Sequence, residues 1–281
     1  MNRRSIMENF KLGTSPVGGM DILDELEIIR NVGYEGFHAG WYSVERQEQI
    51  SNKAAQLGLF QQSIHSPFSG DYKVKYLWDG GEKGDFVTNA LIRCVEDCAR
   101  FDIPVMVIHP FIGFKDHTPT QVGLDNYARV IEVANKKGVT LGFENVEGEE
   151  YIAAIMKEFW NEPCLGFCLD TGHEMCYNEH RDMLALYGEK LCHTHLNDNL
   201  GVRGEEITFY DDLHFLPTDG IADWHNIMER IRKTGYKGFL MSELSKGNKI
   251  GKNGEALNYG DMTHEEFYAL AIEKTRKAIS M

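Results

Sequence analysis

LGFCLDTGH (residues 165–173) and LCHTHLND (191–198) decide the fold of this chain. Each is a short apolar run that stops at ionisable side chains, Asp170 and His173 in the first and His193 and His195 in the second. Four further segments share the pattern: SIHSPF (His65), VIHPF (His109), GFEN (Glu144) and MSEL (Glu243). A seventh, DDLH (Asp212, His214), falls in the loop before the last of them. A buried strand that delivers one ionisable side chain at its C-terminal end is how a parallel α/β barrel builds an active site. Carboxylates and imidazoles brought to one point repel or desolvate badly unless a cation sits among them. The set therefore predicts a divalent-metal enzyme.

Working outward, short apolar strands alternate with amphipathic helical stretches from NFKLGTSP (9–16) to KGFLMSEL (237–244), followed by a last helix, THEEFYALAIEKTRKAI (263–279). Ser43 is placed to cap the second helix, with Gly58 at its end. Thr118 stands before a proline at the start of the fourth helix and Gly138 ends it. Thr263 and Glu266 form a capping box on the last helix. Near-continuous apolar strands with intervening helices imply a parallel sheet. Eight such units favour closure into a single (β/α)8 TIM barrel, and the lack of a Pro/Gly/Ser linker makes residues 1–281 one domain.

The chain has 281 residues and a net charge of −14. That charge argues against a nucleic-acid or membrane-surface partner, because phosphate contacts require clustered Lys and Arg. Six cysteines (94, 98, 164, 168, 176, 192) lack the CxxC spacing of structural zinc and read as buried reduced thiols. MNRRSIMENF does not resemble a signal peptide, and no run approaches the roughly 18 apolar residues of a membrane span. A cytoplasmic enzyme is expected. Neither GxGxxG nor GxxxxGK[ST] occurs, so no nucleotide cofactor is expected.

Glu144, Asp170, His195 and Glu243 end strands five to eight, where a single cation can bridge them. Mixed carboxylate and imidazole ligation suits Mn, Zn, Co or Fe, with Mg a further choice. Trp41, Phe68, Trp78 and Phe111 lie beside strand ends, where aromatic faces can stack on the C–H face of a sugar or simply pack the rim. His180 and His225 read as surface residues. Phe37 and His38 on strand two are placed to reach the pocket, with nothing to separate them from barrel core.

GFENVEG, CLDTGH, HTHLND, DDLHFLPTDG and SEL resemble the xylose-isomerase-like TIM barrel superfamily, which includes sugar isomerases, tagatose and psicose 3-epimerases, inosose dehydratases and the endonuclease IV nucleases. The resemblance implies a metal-dependent sugar or sugar-phosphate isomerase or epimerase. It implies one divalent metal on Glu144, Asp170, His195 and Glu243, and proton transfer beside a metal-bound carbonyl by Glu144 and Glu243. His173, His65, His109, His214 and Glu150 would bind substrate. So would Arg203, although it stands a few residues beyond the family's arginine. A carbohydrate is the implied partner, and a homo-oligomer is compatible with it. Two alternatives follow from the same motifs. One is a polyol or keto-sugar dehydratase or lyase. The other is a three-zinc phosphodiesterase like endonuclease IV, whose nine ligand positions match His65, His109, Glu144, Asp170, His173, His195, Asp212, His214 and Glu243. Against the nuclease stand the negative charge and loops without an Arg/Lys/aromatic run.

Overall fold

Strand β1 (Leu12–Thr14) begins a parallel sheet whose order is β7-β6-β5-β4-β3-β2-β1-β8. The structure is a computed structural model and describes residues 10–115 and 118–281. The remaining strands are β2 (Gly36–Gly40), β3 (Phe60–His65), β4 (Val105–Ile108), β5 (Thr140–Glu144), β6 (Leu165–Asp170), β7 (Leu191–His195) and β8 (Leu240–Ser242). Every pairing between neighbouring strands of this sheet is parallel. The seam between β7 and β8 is held by a parallel bridge between Leu196 and Ser242 and by Leu196 N–H donating to Met241 O at 2.7 Å. The result is the nearly closed eight-stranded barrel expected from the alternation.

The helices behave as their sequences dictate. α1 (Ile22–Asn31) and α2 (Val44–Leu57) precede β2 and β3, and Ser43 caps α2 by accepting from Arg46 N. Gly58 closes α2 in a left-handed conformation that costs a glycine little. The Gly- and Asp-rich loop after β3 contains a short helix, α3 (Lys75–Asp79), ahead of α4 (Gly81–Arg100). α5 (Gln121–Lys137) is capped by Thr120 rather than starting at Thr118. The capping hydroxyl must lie directly before the helix to reach its free N–H groups, and Pro119 holds Thr118 outside that position. α6 (Glu149–Phe159) follows β5. After β6, a helix is expected over HRDMLALYGEK (180–190), and α8 (Met183–Tyr187) lies there; α7 (Thr171–Cys176) is an added short helix that begins within LGFCLDTGH (165–173), which reads as strand to its end. α9 (Trp224–Thr234) is capped by Asp223. A small hairpin of β9 (Lys249–Ile250) and β10 (Ala256–Leu257) follows β8. α10 (His264–Ile279) carries the predicted Thr263/Glu266 capping box.

The core lies between barrel and helices, with Phe37, Ile64, Met106, Phe143 and Phe167 of the strands fully buried. The six cysteines are free, and all are buried except half-buried Cys192. Among the described residues no helix is long and apolar enough to cross a membrane. Trp78 and Phe111 are packing residues, 3% and 1% exposed, and the Trp78 indole donates to Pro110 O at 2.8 Å. Half-buried Trp41 donates its indole N–H to Asp97 at 2.8 Å. Those three rings serve the rim, whereas Phe68 stacks on His109 at 4.3 Å and faces the site.

Candidate metal centre and substrate cleft

Glu144, Asp170 and His195 are the last residues of β5, β6 and β7, and Glu243 follows β8 by one residue. Each offers a ligand atom, and these four atoms lie within 4.8 Å of one another. His195 Nδ1 is 3.0 Å from Glu144 Oε1 and 3.0 Å from Glu243 Oε2. Glu144 is fully buried, with His173 Nδ1 3.3 Å from Oε1, and His109 and His65 Nε2 at 3.3 and 3.5 Å from Oε2. That oxygen makes no hydrogen bond of acceptable geometry. Such a donor set and a buried, unsatisfied carboxylate oxygen fit a cation.

Asparagines hold the carboxylates in place. Asn145, next to Glu144, accepts from Asp170 N (2.7 Å) and donates back to Asp170 O (2.8 Å). Asn197 donates to Asp170 Oδ2 at 2.8 Å. Asp170 Oδ1 also caps α7 by accepting from His173 N at 2.8 Å, which places His173 over the site. In the loop before α9, Asp212 Oδ2 is 3.3 Å from His173 Nε2 and 2.8 Å from His214 Nε2. His214 Nδ1 lies 3.1 Å from Glu243 O, and its positive φ (47°) turns the ring toward the cleft.

Electrostatics follow from burial and pairing. Burial raises Glu144, but His195 beside it and the nearby imidazoles of His109 and His173 outweigh this and hold it well below the usual carboxylate range. Glu243 behaves the same way, with His195 the main opposing influence. Burial lifts Asp170 to about 6. His214 stands at about 10, because Asp212 overcomes the burial that would lower it. Beneath the site, burial and the neighbouring His195 push His38 down to about 3. The His38 ring has no hydrogen-bond partner and lies 4.6 Å from that of His195.

His65, His109, His173 and His214 line a cavity of about 160 Å3 together with Phe68 and Glu243. A second lobe of about 430 Å3 shares His65, His214 and Glu243 and reaches His38. Two expected substrate groups stand elsewhere. Glu150 is exposed and lines an outer cavity beyond the histidine ring. Exposed Arg203 turns to Tyr210 O and Asp211, because it lies in an irregular loop that folds on itself. Glu147 was missed by sequence reading. It is 4% exposed, lines both the inner and the outer cavity, and accepts from Gly113 N at 2.7 Å. Burial raises its carboxyl above the usual range. Its one signal was a carboxylate just past β5, before Gly148 bends the chain into α6. His180 and His225 are exposed as expected.

A nearly closed parallel barrel with carboxylates and imidazoles at the C-terminal mouth defines the class of protein. The sequence model of the xylose isomerase-like TIM barrel matches residues 26–262, and the chain belongs to that family. An uncharacterized protein of Methanocaldococcus jannaschii is 24% identical over 224 residues, 72% of this chain and 71% of that protein. Among solved structures, the zinc-bound IolI protein superposes with a TM-score of 0.73 at 16% identity, covering 96% of this chain and 98% of that one. D-psicose 3-epimerase from Clostridium cellulolyticum H10, solved with D-tagatose, gives 0.72 at 14% identity, covering 96% and 99%.

Proposed function

We propose that this protein is a divalent-metal-dependent sugar isomerase or epimerase, acting on a carbohydrate in the cytoplasm by moving a proton at the carbon beside a carbonyl. The observation that carries the reading is the convergence of Glu144, Asp170, His195 and Glu243 within 4.8 Å. The zinc in the IolI structure and the sugar in the psicose epimerase structure support it.

These four residues would hold the ion, with Mn, Zn, Co or Fe the choices suited to the donors. When bound, the ion would polarise the substrate carbonyl and offset the charge that develops on its oxygen. Glu243 lines both ligand-bearing lobes, and its side chain is 23% exposed, so it can meet a substrate carbon directly. Held ionised by His195, it serves as the base. Glu144 is fully enclosed, and its path to substrate runs through His109 and His65, whose rings line the cleft. Glu144, ionised in the free protein, would take a proton from solvent by way of His109 and His65 and return it to the opposite face by the same route. His173 and His214, fixed by Asp212, hold substrate hydroxyls. Phe68 supplies an apolar face.

A second reading rests on a specific observation. Two more groups, His65/His109/Glu144 and Asp170/His173/His214, also bring one ligand atom from each residue within 4.8 Å. With Asp212 beside His173 and His214, all nine ligand positions of a three-zinc phosphodiesterase surround one cleft. Elemental analysis of protein purified without chelators separates the readings. About one metal ion per chain supports the isomerase or epimerase. Close to three supports the phosphodiesterase, and none contradicts both.

A further inference from the structure

The cleft is larger than a metal-bound monosaccharide requires. The 160 Å3 lobe that touches Glu243 shares Glu147 and Tyr177 with an adjoining outer cavity of about 640 Å3. That volume alone lies within the roughly 300–1,000 Å3 of small-molecule sites. No candidate metal ligand lines it among the described residues. It is therefore available to a part of the substrate that does not react.

Its walls specify what that part is. Tyr177 borders both cavities, and its ring lies 4.8 Å from His173 and 5.9 Å from Phe114. Phe114, on the outer side, lies 4.6 Å from Phe209, which lines the inner cavity. A continuous aromatic wall thus runs from the histidine ring into the outer cavity, suited to the C–H faces of consecutive sugar rings. The polar groups are Glu147, Glu149, Glu150, Glu179 and Glu206. Among the described residues, Lys115 and Arg181 are the cations lining it, and Arg181 is drawn to Glu149 at 2.6 Å. Carboxylates accept hydrogen bonds from hydroxyls, whereas this excess of negative charge repels a phosphate or carboxylate.

Building on the sugar-chemistry reading above, we propose that the substrate is a glycoside or oligosaccharide: its carbonyl-bearing unit occupies the ligand-lined lobes, and an uncharged second sugar unit occupies the outer cavity. A phosphate at that second position is excluded by the glutamates.

The test uses Mn2+-loaded protein with fructose, fructose 6-phosphate and three keto-disaccharides of different linkage: lactulose, turanose and isomaltulose. Two signals are read independently, exchange of the substrate C–H for solvent deuterium and direct binding by calorimetry. At least one disaccharide is expected to show a tenfold or greater advantage over both fructose and its phosphate, in kcat/KM for exchange and in affinity. Ala153, exposed on α6, lines the outer cavity. Ala153→Trp is expected to remove the disaccharide's advantage while fructose exchange stays within twofold. Exchange with fructose equal to that with every disaccharide, or a preference for the phosphate, overturns the glycoside proposal and leaves the sugar chemistry standing. Disaccharide binding that Ala153→Trp weakens, without exchange of any sugar, supports the outer site and overturns the proposed reaction. No binding and no exchange with any of the sugars overturns both.

Discussion

Replacing Gly172 with alanine should damage the candidate metal centre without touching a candidate ligand. Gly172 lies in α7, in the DTGH segment, and a Cβ added there would sit 2.0 Å from Asn197 Oδ1 and 3.0 Å from its Cγ. On helix propensity alone the change would be favourable by about 1 kcal/mol. The steric demand reverses that, because both partners are buried at the end of two packed strands. Asn197 donates to Asp170 Oδ2 at 2.8 Å, and its backbone N–H donates to Thr171 Oγ1 at 3.0 Å. Moving the amide removes the group that orients Asp170. Overpacking of this kind costs about 1–3 kcal/mol. At about 2–4 °C per kcal/mol for a chain of this size, the melting temperature should fall by several degrees. Loss of a partner that orients a ligand typically costs about 10–100-fold in metal affinity. Scanning calorimetry of the chelated protein reads the first effect, and competition with a chromophoric chelator reads the second. Metal affinity within twofold of the parent, with Asn197 displaced, would refute the claim that Asn197 positions Asp170.

Further outcomes follow from the same geometry. Glu243→Gln should fold normally yet lower substrate C–H exchange with deuterium by about 10²–10⁴-fold, the usual range for a lost general base; unchanged exchange, followed by NMR, removes Glu243 from the role of base. His38 stands at about 3, below the ordinary 6.5, so the unfolded chain takes up a proton in that window that the folded chain refuses. Stability should therefore fall as pH drops below 6.5, by about 2 kcal/mol between pH 7.5 and 5 from this group. In urea titrations of chelated protein, His38→Leu should lose that much less than the parent; equal losses contradict a buried His38 that stays neutral on folding. Arg230 grips Glu174 with two bonds of 2.9 and 2.8 Å, the two side chains being 15% and 7% exposed. Arg230→Met should cost about 3–5 kcal/mol by stranding a buried carboxylate, and adding Glu174→Leu should restore part of it in denaturant unfolding.

The barrel was legible because its strands are buried on both faces and end in ionisable residues, a pattern that survives in the sequence without tertiary knowledge. The same logic reached Glu144, Asp170, His195 and Glu243: strand ends that neighbour one another in the sheet must share one mouth. Loops carry no such period. Arg203 and Glu150 were placed by counting along segments whose path is set by turns, and both lie outside the ligand-bearing lobes. Glu147 was hidden for the same reason, since only the left-handed Gly148 after it directs the chain so that its carboxyl is enclosed. His38 could not be told from core because strand alternation says only that a residue faces inward, not how deep it lies. α7, inside a segment that reads as strand, starts because Asp170 acts both as strand end and as N-cap, a dual role visible only once its carboxylate is seen to accept from His173 N.

Proton transfer next to a carbonyl should depend on a divalent ion at the Glu144–Asp170–His195–Glu243 cluster. The most direct measurement is incorporation of solvent deuterium into a panel of ketoses and keto-disaccharides in D2O, made with the metal-loaded protein and again after chelation. One-deuteron incorporation at a carbon beside the carbonyl is expected, lost on chelation and restored by Mn2+, Co2+ or Zn2+. Incorporation that persists undiminished in the metal-free protein, or none in any sugar with metal in place, contradicts it.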